Sequence, residues 1–357
     1  MAAGIFRYVN PPVICWGAGT LGELGAQLDR LGARRVALVT THSVQADPVL
    51  AGAMASALTD RDVTATSLVR AHAPRQDVEA AVARVREAGA DAVISFGGGS
   101  AIDAAKIVAL TVGEATAARR ALLHVAVPTT LSVAELAPAA GMTDDAGNKG
   151  GLRDERMVPA AVIYDANLAL RTPLALWLST GLRAVDHGVE AFLAPGSHPF
   201  ADLLAVDGLA RLLRTLPEAH RAPADAGVRT ENQLGAWFAF TLPDMAAIGL
   251  SHMMGKQIGA RYGIPHGVTS CLLLPHVLRY RARREPARTA ELASRLGLGG
   301  DGAALADRVG ALVDELELPR HVADYGVGED ELRRAAAALG GGEHTVDDLA
   351  RIYLAAL

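Results

Sequence analysis

The sequence predicts two domains: an α/β domain with a parallel sheet over residues 1–165, and an all-α domain over residues 166–357. Two different patterns along the chain support this division. In the first half, short apolar runs alternate with amphipathic helical patterns, which is typical of a parallel sheet covered by helices on both faces. From about residue 170 onward the pattern is helical and strand signals are absent.

Four strands and three helices are predicted in the first half. Each strand candidate is a short run of apolar or β-branched residues, and each helix candidate repeats apolar residues at three- or four-residue spacing. The strands are residues 36–40, 63–69, 92–96 and 122–127, and the helices are residues 50–58, 78–87 and 101–112.

The second half is predicted to consist of helices. The longer ones cover residues 174–193, 200–213, 232–260 with an interruption near Pro243, and 268–284. Shorter ones follow at residues 290–296, 303–316, 329–339 and 346–357.

Composition and charge restrict the function classes. The chain of 357 residues is half apolar, carries a net charge of −5 and has no basic run, which argues against a nucleic-acid partner. No apolar stretch approaches the roughly 20 residues of a membrane span, and the N-terminus lacks the pattern of a signal peptide. Cys15 and Cys271 are too few for a disulfide framework, so we expect a cytoplasmic protein.

A glycine-rich turn, Gly-Gly-Gly-Ser at residues 97–100, follows the third predicted strand and opens the next helix. Glycines let the backbone approach a ligand closely, and the free amides at a helix start attract phosphate. The turn is neither GxGxxG nor a Walker motif. Asp103 and Lys106 follow at a spacing that also suits a surface ion pair. Residues 128–130, Pro-Thr-Thr, end the next strand and form either a ligand contact or a simple turn.

The most informative segment is residues 249–267, GLSHMMGKQIGARYGIPHG. His252 and Lys256 are four residues apart and therefore share one face of a predicted helix. A turn at Gly263 then presents His266. Three polar groups that converge from an otherwise apolar segment indicate a metal or catalytic site rather than a core.

Together these motifs resemble the iron-containing alcohol dehydrogenase superfamily. The motifs are GGGSxxDxAK at residues 97–106, PTT at 128–130, DHGVEAF at 186–192 and the paired histidines of the segment above. The resemblance covers essentially the whole chain, and residues 17–21 and 31–40 are similar to the maleylacetate reductase branch. It implies a dehydroquinate synthase-like fold, a dinucleotide-binding N-terminal domain, NAD(P)-dependent interconversion of an alcohol and a carbonyl, and a homodimer.

The resemblance also implies which residues bind the cofactor. The positions that match the motifs are Gly97, Gly98, Gly99, Ser100, Asp103, Thr129, Thr130, Leu131 and Lys149. After the strand at residues 36–40, Thr41 and two further polar residues replace the acidic residue that would hold the adenosine ribose and repel a 2′-phosphate. We therefore expect NADH or NADPH as cofactor, with NADPH accepted.

The chain departs from the resemblance at the metal site. Metal-dependent members hold iron or zinc with one Asp and three His, which here would be His187, His252 and His266, but Arg183 stands at the Asp position. Asp186 should point about 100° away from its neighbour His187. A guanidinium cannot ligate a cation, and at about 4 Å it repels a dication by roughly 8 kcal/mol. We therefore expect the metal to be absent or weakly bound.

Lys256, where relatives commonly have a histidine, adds a second cation beside Arg183. Both suit an anionic substrate, because a guanidinium grips a carboxylate or phosphonate in a bidentate manner. The resulting hypothesis is an NAD(P)H-dependent reductase of a small anionic carbonyl compound, in which Arg183, Lys256 or a protonated histidine stabilises the developing oxyanion and His252 or His266 donates the proton. The alternatives are a metal-dependent alcohol dehydrogenase with broad substrates, a metal-dependent glycerol-1-phosphate or dehydroquinate-type enzyme, and a non-enzymatic binding protein on a decayed dehydrogenase fold.

Overall fold

The computed structural model describes residues 6–115, 121–145, 149–196, 198–241, 249–340 and 342–357. The chain divides into two compact units. We call residues 8–173 with 224–233 the α/β unit, and residues 174–223 with 234–357, together with Phe6 and Arg7, the helical unit. The boundary expected at residues 165/166 stays a prediction.

The α/β unit contains a six-stranded parallel sheet in the order β1-β8-β5-β4-β2-β3 and a separate antiparallel pair, β6 and β7. The strands are β1 Ile14–Gly17, β2 Arg35–Thr41, β3 Asp62–Val69, β4 Ala92–Gly97, β5 Leu123–Pro128, β6 Ala139–Thr143, β7 Lys149–Arg153 and β8 Ala161–Asp165. All four predicted strands are present, and the prediction missed β1, β6, β7 and β8.

Helices cover both faces of this sheet, as the alternation of strands and helices predicts. They are α1 Leu24–Leu31, α2 His42–Ala46, α3 Pro48–Ala57, α4 Arg75–Ala88, α5 Gly99–Glu114 and α6 Ala166–Ala169. Alternate residues of β2 point to opposite faces. Val36 and Leu38 pack in one core with residues of α1 and α3, whereas Ala37 and Val39 pack in another with residues of α4 and α5.

The helical unit has no strand among its described residues, which confirms the predicted fold class. The helices that follow residue 173 are α7 Leu174–Phe192, α8 Pro199–Arg221, α9 Ala226–Ala239, α10 Leu250–Tyr262, α11 His266–Arg284, α12 Pro286–Arg295, α13 Gly302–Glu315, α14 Glu329–Leu339 and α15 Val346–Leu354. Of these, α9 begins in the part of the chain that belongs to the α/β unit. The single helix predicted over residues 232–260 is two helices, and Pro243 lies outside the described residues. Apolar residues of α10, α11, α14 and α15 pack in one core of this unit. Within the described residues, no helix is both long enough and apolar enough to cross a membrane.

Candidate active site

The glycine turn of the α/β unit has the geometry of a phosphate cradle. β4 ends at Gly97, whose φ of +140° is one that side-chain-bearing residues rarely adopt. A Cβ on Gly98 would lie 2.9 Å from Cγ2 of Thr130, so only glycine permits this close approach. Gly98 is also the N-cap of α5, where no side chain caps the helix. The first amides of α5 are therefore placed to bind an anion.

The segment after β5 forms the opposite side of this cradle. The amide of Thr129 donates to the carbonyl oxygen of Gly97 at 2.9 Å, and the hydroxyl of Thr130 donates to Ser132 Oγ at 3.2 Å. A Cβ on Gly99 would lie 3.2 Å from the same Ser132 oxygen. Glycines and hydroxyls predicted separately from two motifs thus meet at one place in the fold. The binding of a dinucleotide pyrophosphate at this place stays a prediction.

The other predicted cofactor residues occupy more ordinary positions. Ser100 Oγ accepts a hydrogen bond from the amide of His72 at 2.9 Å, and Thr41 accepts one from the amide of Val44 at the start of α2. Leu131 is buried and Asp103 is half-buried on α5. The side chain of Lys149 lies outside the described part of the chain. The roles of all these residues in cofactor binding stay predictions.

Lys106 is not the member of a surface ion pair. It is completely buried on α5, and its ammonium donates to the backbone carbonyls of Ala134, Ala137 and Ala139. Burial lowers the pKa of Lys106 to about 8. The surface interpretation of its spacing from Asp103 is therefore wrong, because α5 is an internal helix that faces the segment following Thr130.

In the helical unit, three helices bring the predicted catalytic side chains together. α7 carries Arg183 and His187, α10 carries His252 and Lys256, and α11 begins at His266. All three helices belong to this unit, and each of them contacts the other two. The rings of His187 and His252 lie with their centroids 4.3 Å apart, whereas Lys256 is exposed.

Arg183 is buried and held by a chain of hydrogen bonds. Its Nη1 donates to Ser270 Oγ at 3.0 Å, and Ser270 in turn donates to Asp186 Oδ2 at 2.6 Å. Ser251 donates to the same carboxylate oxygen at 2.8 Å. Arg183 Nη1 also lies 3.7 Å from Asp186 Oδ2, one helical turn away on α7. A buried cation is thus matched by a buried anion.

Asp186 belongs to this site although its offset from His187 suggested otherwise. Its Oδ2 lies 3.5 Å from Nδ1 of His252. The offset of about 100° between neighbouring helical residues is real, but it turns Asp186 toward α10, which carries His252. Sequence reasoning missed the signal that Asp186 is three residues after Arg183, the spacing of an ion pair on one helix face.

Glu190 is a second buried carboxylate that the sequence reasoning did not consider. Its Oε2 lies 2.5 Å from Nδ1 of His252, although the two are not aligned as a hydrogen bond. Its Oε1 accepts a hydrogen bond from the amide of His252 at 3.1 Å. A Cβ on Gly249 would fall within 2.5 Å of the Glu190 carboxyl carbon. Only glycine at position 249 therefore allows the start of α10 to lie against Glu190.

Burial controls the charges in this group. It raises the pKa of Asp186 and raises that of Glu190 to about 7. Burial, together with the charges of Arg183 and Lys256, lowers the pKa of His252 to about 3. The pKa of His187 falls well below its usual range for the same principal reason. Both imidazoles are therefore neutral at neutral pH.

The side chains best grouped for a cation are not the three predicted histidines. Within the described residues, Asp186, Glu190 and His252 have ligand atoms that all lie within 4.8 Å of one another. Asp186 Oδ1 and His252 Nε2 are buried and have no hydrogen-bond partner among the residues that the structure describes. Arg183 nevertheless lies beside this group, and Asp186 Oδ2 already accepts two hydroxyl hydrogen bonds. The set of His187, His252 and His266 stays a prediction.

Comparison with known proteins places this geometry in a family. Residues 11–166 match the family described as iron-containing alcohol dehydrogenase, and residues 177–345 match its C-terminal part. Maleylacetate reductase 2 of Cupriavidus pinatubonensis is 35% identical over 83% of this chain and 80% of the relative. Maleylacetate reductase of a Pseudomonas species is 32% identical over 91% of this chain and 88% of its own length.

The chain belongs to the iron-containing alcohol dehydrogenase family. The crystal structure of maleylacetate reductase from Agrobacterium tumefaciens agrees, with 29% identity and a TM-score of 0.87 over 100% of this chain and 99% of that one. These matches confirm both the predicted superfamily and its maleylacetate reductase branch. The protein is thus an NAD(P)-dependent oxidoreductase that acts on CH–OH and C=O groups of a small molecule.

The structure shows where Arg183 lies at the metal position that the family resemblance implies. The Asp that metal-dependent members carry four residues before their first histidine is replaced by Arg183, and the structure directs that side chain inward, to Ser270. A carboxylate is still present, but it is one turn along α7 at Asp186. The Arg183 guanidinium is therefore held beside Ser270 and Asp186 within the candidate site.

Proposed function

We propose that this protein reduces the carbonyl group of a small carboxylate-bearing substrate with NADH or NADPH. The observation that carries the proposal is the buried guanidinium of Arg183 in the histidine-bearing group of the helical unit. A buried, hydrogen-bonded arginine is well suited to grip a carboxylate. The chain is similar to maleylacetate reductases. Maleylacetate, a dicarboxylate ketone, is therefore the first candidate substrate. A phosphonate is the other anionic class that this site suits.

The mechanism assigns separate tasks to the charged groups. When bound, the nicotinamide cofactor supplies the hydride, and the glycine turn at residues 97–100 binds its pyrophosphate. Arg183 binds a substrate carboxylate and orients the carbonyl. Lys256 stabilises the negative charge that develops on the carbonyl oxygen. We assign the proton donation to His266, which is partly exposed, rather than to His252, which is buried.

We propose that this reaction proceeds without a metal ion. The Asp-and-three-His set of the metal-dependent relatives does not fit, because Arg183 occupies the Asp position and lies 3.7 Å from the nearest carboxylate oxygen. The alternative, a metal-dependent alcohol dehydrogenase, is favoured by one observation, the grouping of Asp186 and Glu190 with His252. Elemental analysis of the purified protein separates the two, and one bound zinc or iron per chain would overturn the metal-free proposal.

The anion assignment is tested with maleylacetate and with its dimethyl ester, which has the same skeleton without the charges. We expect Arg183→Ala to lower kcat/KM for maleylacetate by about ten- to a hundred-fold more than for the ester. Lys256→Ala should lower turnover of both, because it acts on the carbonyl oxygen. Arg279→Ala, which removes an exposed arginine from α11, is the matched control. Equal losses for both substrates in Arg183→Ala would refute the assignment.

The cofactor preference rests on the end of β2. Thr41 occupies that position and is followed by His42 and Ser43, so the end of the strand carries no carboxylate of its own that would repel the 2′-phosphate of NADPH. We propose that NADPH is accepted alongside NADH. Steady-state kinetics with both cofactors tests this, and a KM for NADPH about a hundred-fold above that for NADH would contradict it.

We also propose a homodimer in the cytoplasm. β1 and β3 are the edge strands of the sheet, and Trp16 on β1 is 53% exposed, which suits pairing across subunits. Both cysteines are free thiols, as expected in a reducing compartment. Light scattering on the purified protein measures the oligomeric state, and a monomer at micromolar concentration would contradict the dimer.

A further inference from the structure

The hydrogen bonds around Arg183 run in one direction. Ser270 has a single hydroxyl proton, and Asp186 Oδ2 receives it at 2.6 Å, because an ionised carboxylate cannot donate. The lone pairs of the same hydroxyl are then free to accept from Arg183 Nη1 at 3.0 Å. Asp186 therefore fixes the orientation of Ser270, and Ser270 fixes one nitrogen of the guanidinium.

The surroundings leave these three groups little freedom. Asp186 and Ser270 are fully buried and Arg183 is 9% exposed. Ser251 donates to the same oxygen of Asp186 at 2.8 Å and holds the carboxylate from α10. A Cβ on Gly255 would lie 3.9 Å from Arg183 Nη1 and 2.8 Å from Thr269 Oγ1, so α10 packs closely beside the guanidinium. The side chains are thus locked by packing as well as by hydrogen bonds.

We propose that Ser270 is a specificity-determining positioning residue, which aims the guanidinium of Arg183 at the substrate carboxylate by linking it to Asp186. The inference rests on the proposed function and adds to it. A guanidinium forms two parallel hydrogen bonds with a carboxylate only in a defined orientation. Direct attraction between Arg183 and Asp186 at 3.7 Å does not define that orientation, whereas the bridge through a hydroxyl does.

The chain contains a matched control for this idea. Ser251 and Ser270 each donate one hydroxyl hydrogen bond to Asp186 Oδ2. Both serines are buried. Among the hydrogen bonds of the described residues, Arg183 donates to Ser270 and not to Ser251. The two serine-to-alanine variants therefore remove the same contact to Asp186, but Ser270→Ala also removes the contact to Arg183.

The experiment measures kcat/KM for maleylacetate and for its dimethyl ester in four variants: Ser270→Ala, Ser251→Ala, Arg183→Ala and the double variant Arg183→Ala/Ser270→Ala. We expect Ser270→Ala to lower the ratio of acid to ester by about ten-fold, and Ser251→Ala to change it by less than about two-fold. In the Arg183→Ala background, Ser270→Ala should leave the ratio unchanged, because Ser270 acts only through the guanidinium. A general loss of stability would lower kcat/KM for both substrates together and leave their ratio unchanged.

Two outcomes distinguish the inference from the function on which it rests. If Arg183→Ala leaves the ratio unchanged, Arg183 does not recognise the anion and both proposals fail. If Arg183→Ala lowers the ratio but Ser270→Ala matches Ser251→Ala, only the role of Ser270 is overturned. Should Ser270→Ala fail to fold, Ser270→Cys replaces it, because a thiol has nearly the same size and bonds only weakly. A Ser270→Cys ratio equal to that of the wild type would overturn the role of Ser270.

Discussion

Replacing Arg183 by alanine should turn a poor cation site into a good one. In the wild type, Asp186, Glu190 and His252 place three ligand atoms within 4.8 Å of one another, but the guanidinium opposes a dication beside them. Removing it leaves the buried carboxylate of Asp186 without its counter-ion, which a divalent ion can then supply. The variant protein should therefore bind zinc much more tightly than the wild type.

The geometry gives the size of the effect. Arg183 Nη1 lies 3.7 Å from Asp186 Oδ2, and a zinc ion would bind a carboxylate oxygen at about 2 Å. The ion would therefore lie at most about 6 Å from the guanidinium nitrogen. At an effective dielectric constant near 20, a dication and a unit charge at this distance repel by about 6 kcal/mol. That corresponds to a change of roughly 10⁴-fold in Kd.

Isothermal titration of the metal-free proteins with zinc measures this difference. Arg279→Ala, which removes an exposed arginine of α11, should behave as the wild type. In the Arg183→Ala background, Glu190→Gln should weaken the new site, since it removes one of the three ligands. Equal zinc affinity in wild type and Arg183→Ala would refute the electrostatic reasoning. So would a wild-type protein that is purified with one tightly bound zinc or iron.

Three further predictions concern the α/β unit. Gly98→Val places a side chain against Thr130, because a Cβ alone would lie 2.9 Å from Cγ2 of Thr130. The Kd for NADH, measured by fluorescence titration, should therefore rise at least about ten-fold. An unchanged Kd would show that the glycine turn is not part of the cofactor site. Burial lowers the pKa of His124, bonded to Ser95, to about 3. His124 is therefore neutral in the folded protein, whereas in the unfolded chain it binds a proton below about pH 6.5. Between pH 7 and pH 5 the wild type should lose about 2 kcal/mol more unfolding free energy than His124→Asn, measured by urea unfolding. An identical dependence of unfolding free energy on pH in the two proteins would contradict this. Lys106→Met leaves three carbonyls without their donor and should cost about 3 kcal/mol or more in the same assay, whereas a change below about 1 kcal/mol would show that water replaces the ammonium.

The predicted part of the fold is the part with strong periodicity. Residues 36–40, 63–69, 92–96 and 122–127 are short runs of mostly apolar or β-branched residues, and each forms a strand of the parallel sheet. β1 escaped prediction because it has only four residues, none of them fully buried. β6 and β7 carry small and polar residues, Ala-Ala-Gly-Met-Thr and Lys-Gly-Gly-Leu-Arg, which lack strand propensity. They pair because of their tertiary surroundings.

The same limit applies to the candidate site. The histidines and Arg183 could be identified because a family motif fixes their spacing. Glu190 belongs to the DHGVEAF motif and lies four residues after Asp186, but its contact with His252 depends on Gly249, where the absence of a side chain brings α10 against the carboxylate. Ser270 has no sequence signal, because its partner Asp186 is 84 residues away. Contacts between distant helices decide these roles, and a single sequence carries no periodic pattern for them.

Asp186 shows how a buried arginine at position 183 keeps its charge balance. A lone arginine at position 183 would be a buried cation without a partner, which costs several kcal/mol. With an aspartate three residues later, both charges lie on one face of α7, and two serine hydroxyls satisfy the carboxylate. Arginine and aspartate therefore stabilise each other as a pair. Asp186→Asn should accordingly destabilise the wild type by more than it destabilises Arg183→Ala, and equal losses of unfolding free energy in the two backgrounds would show that the pair is not coupled.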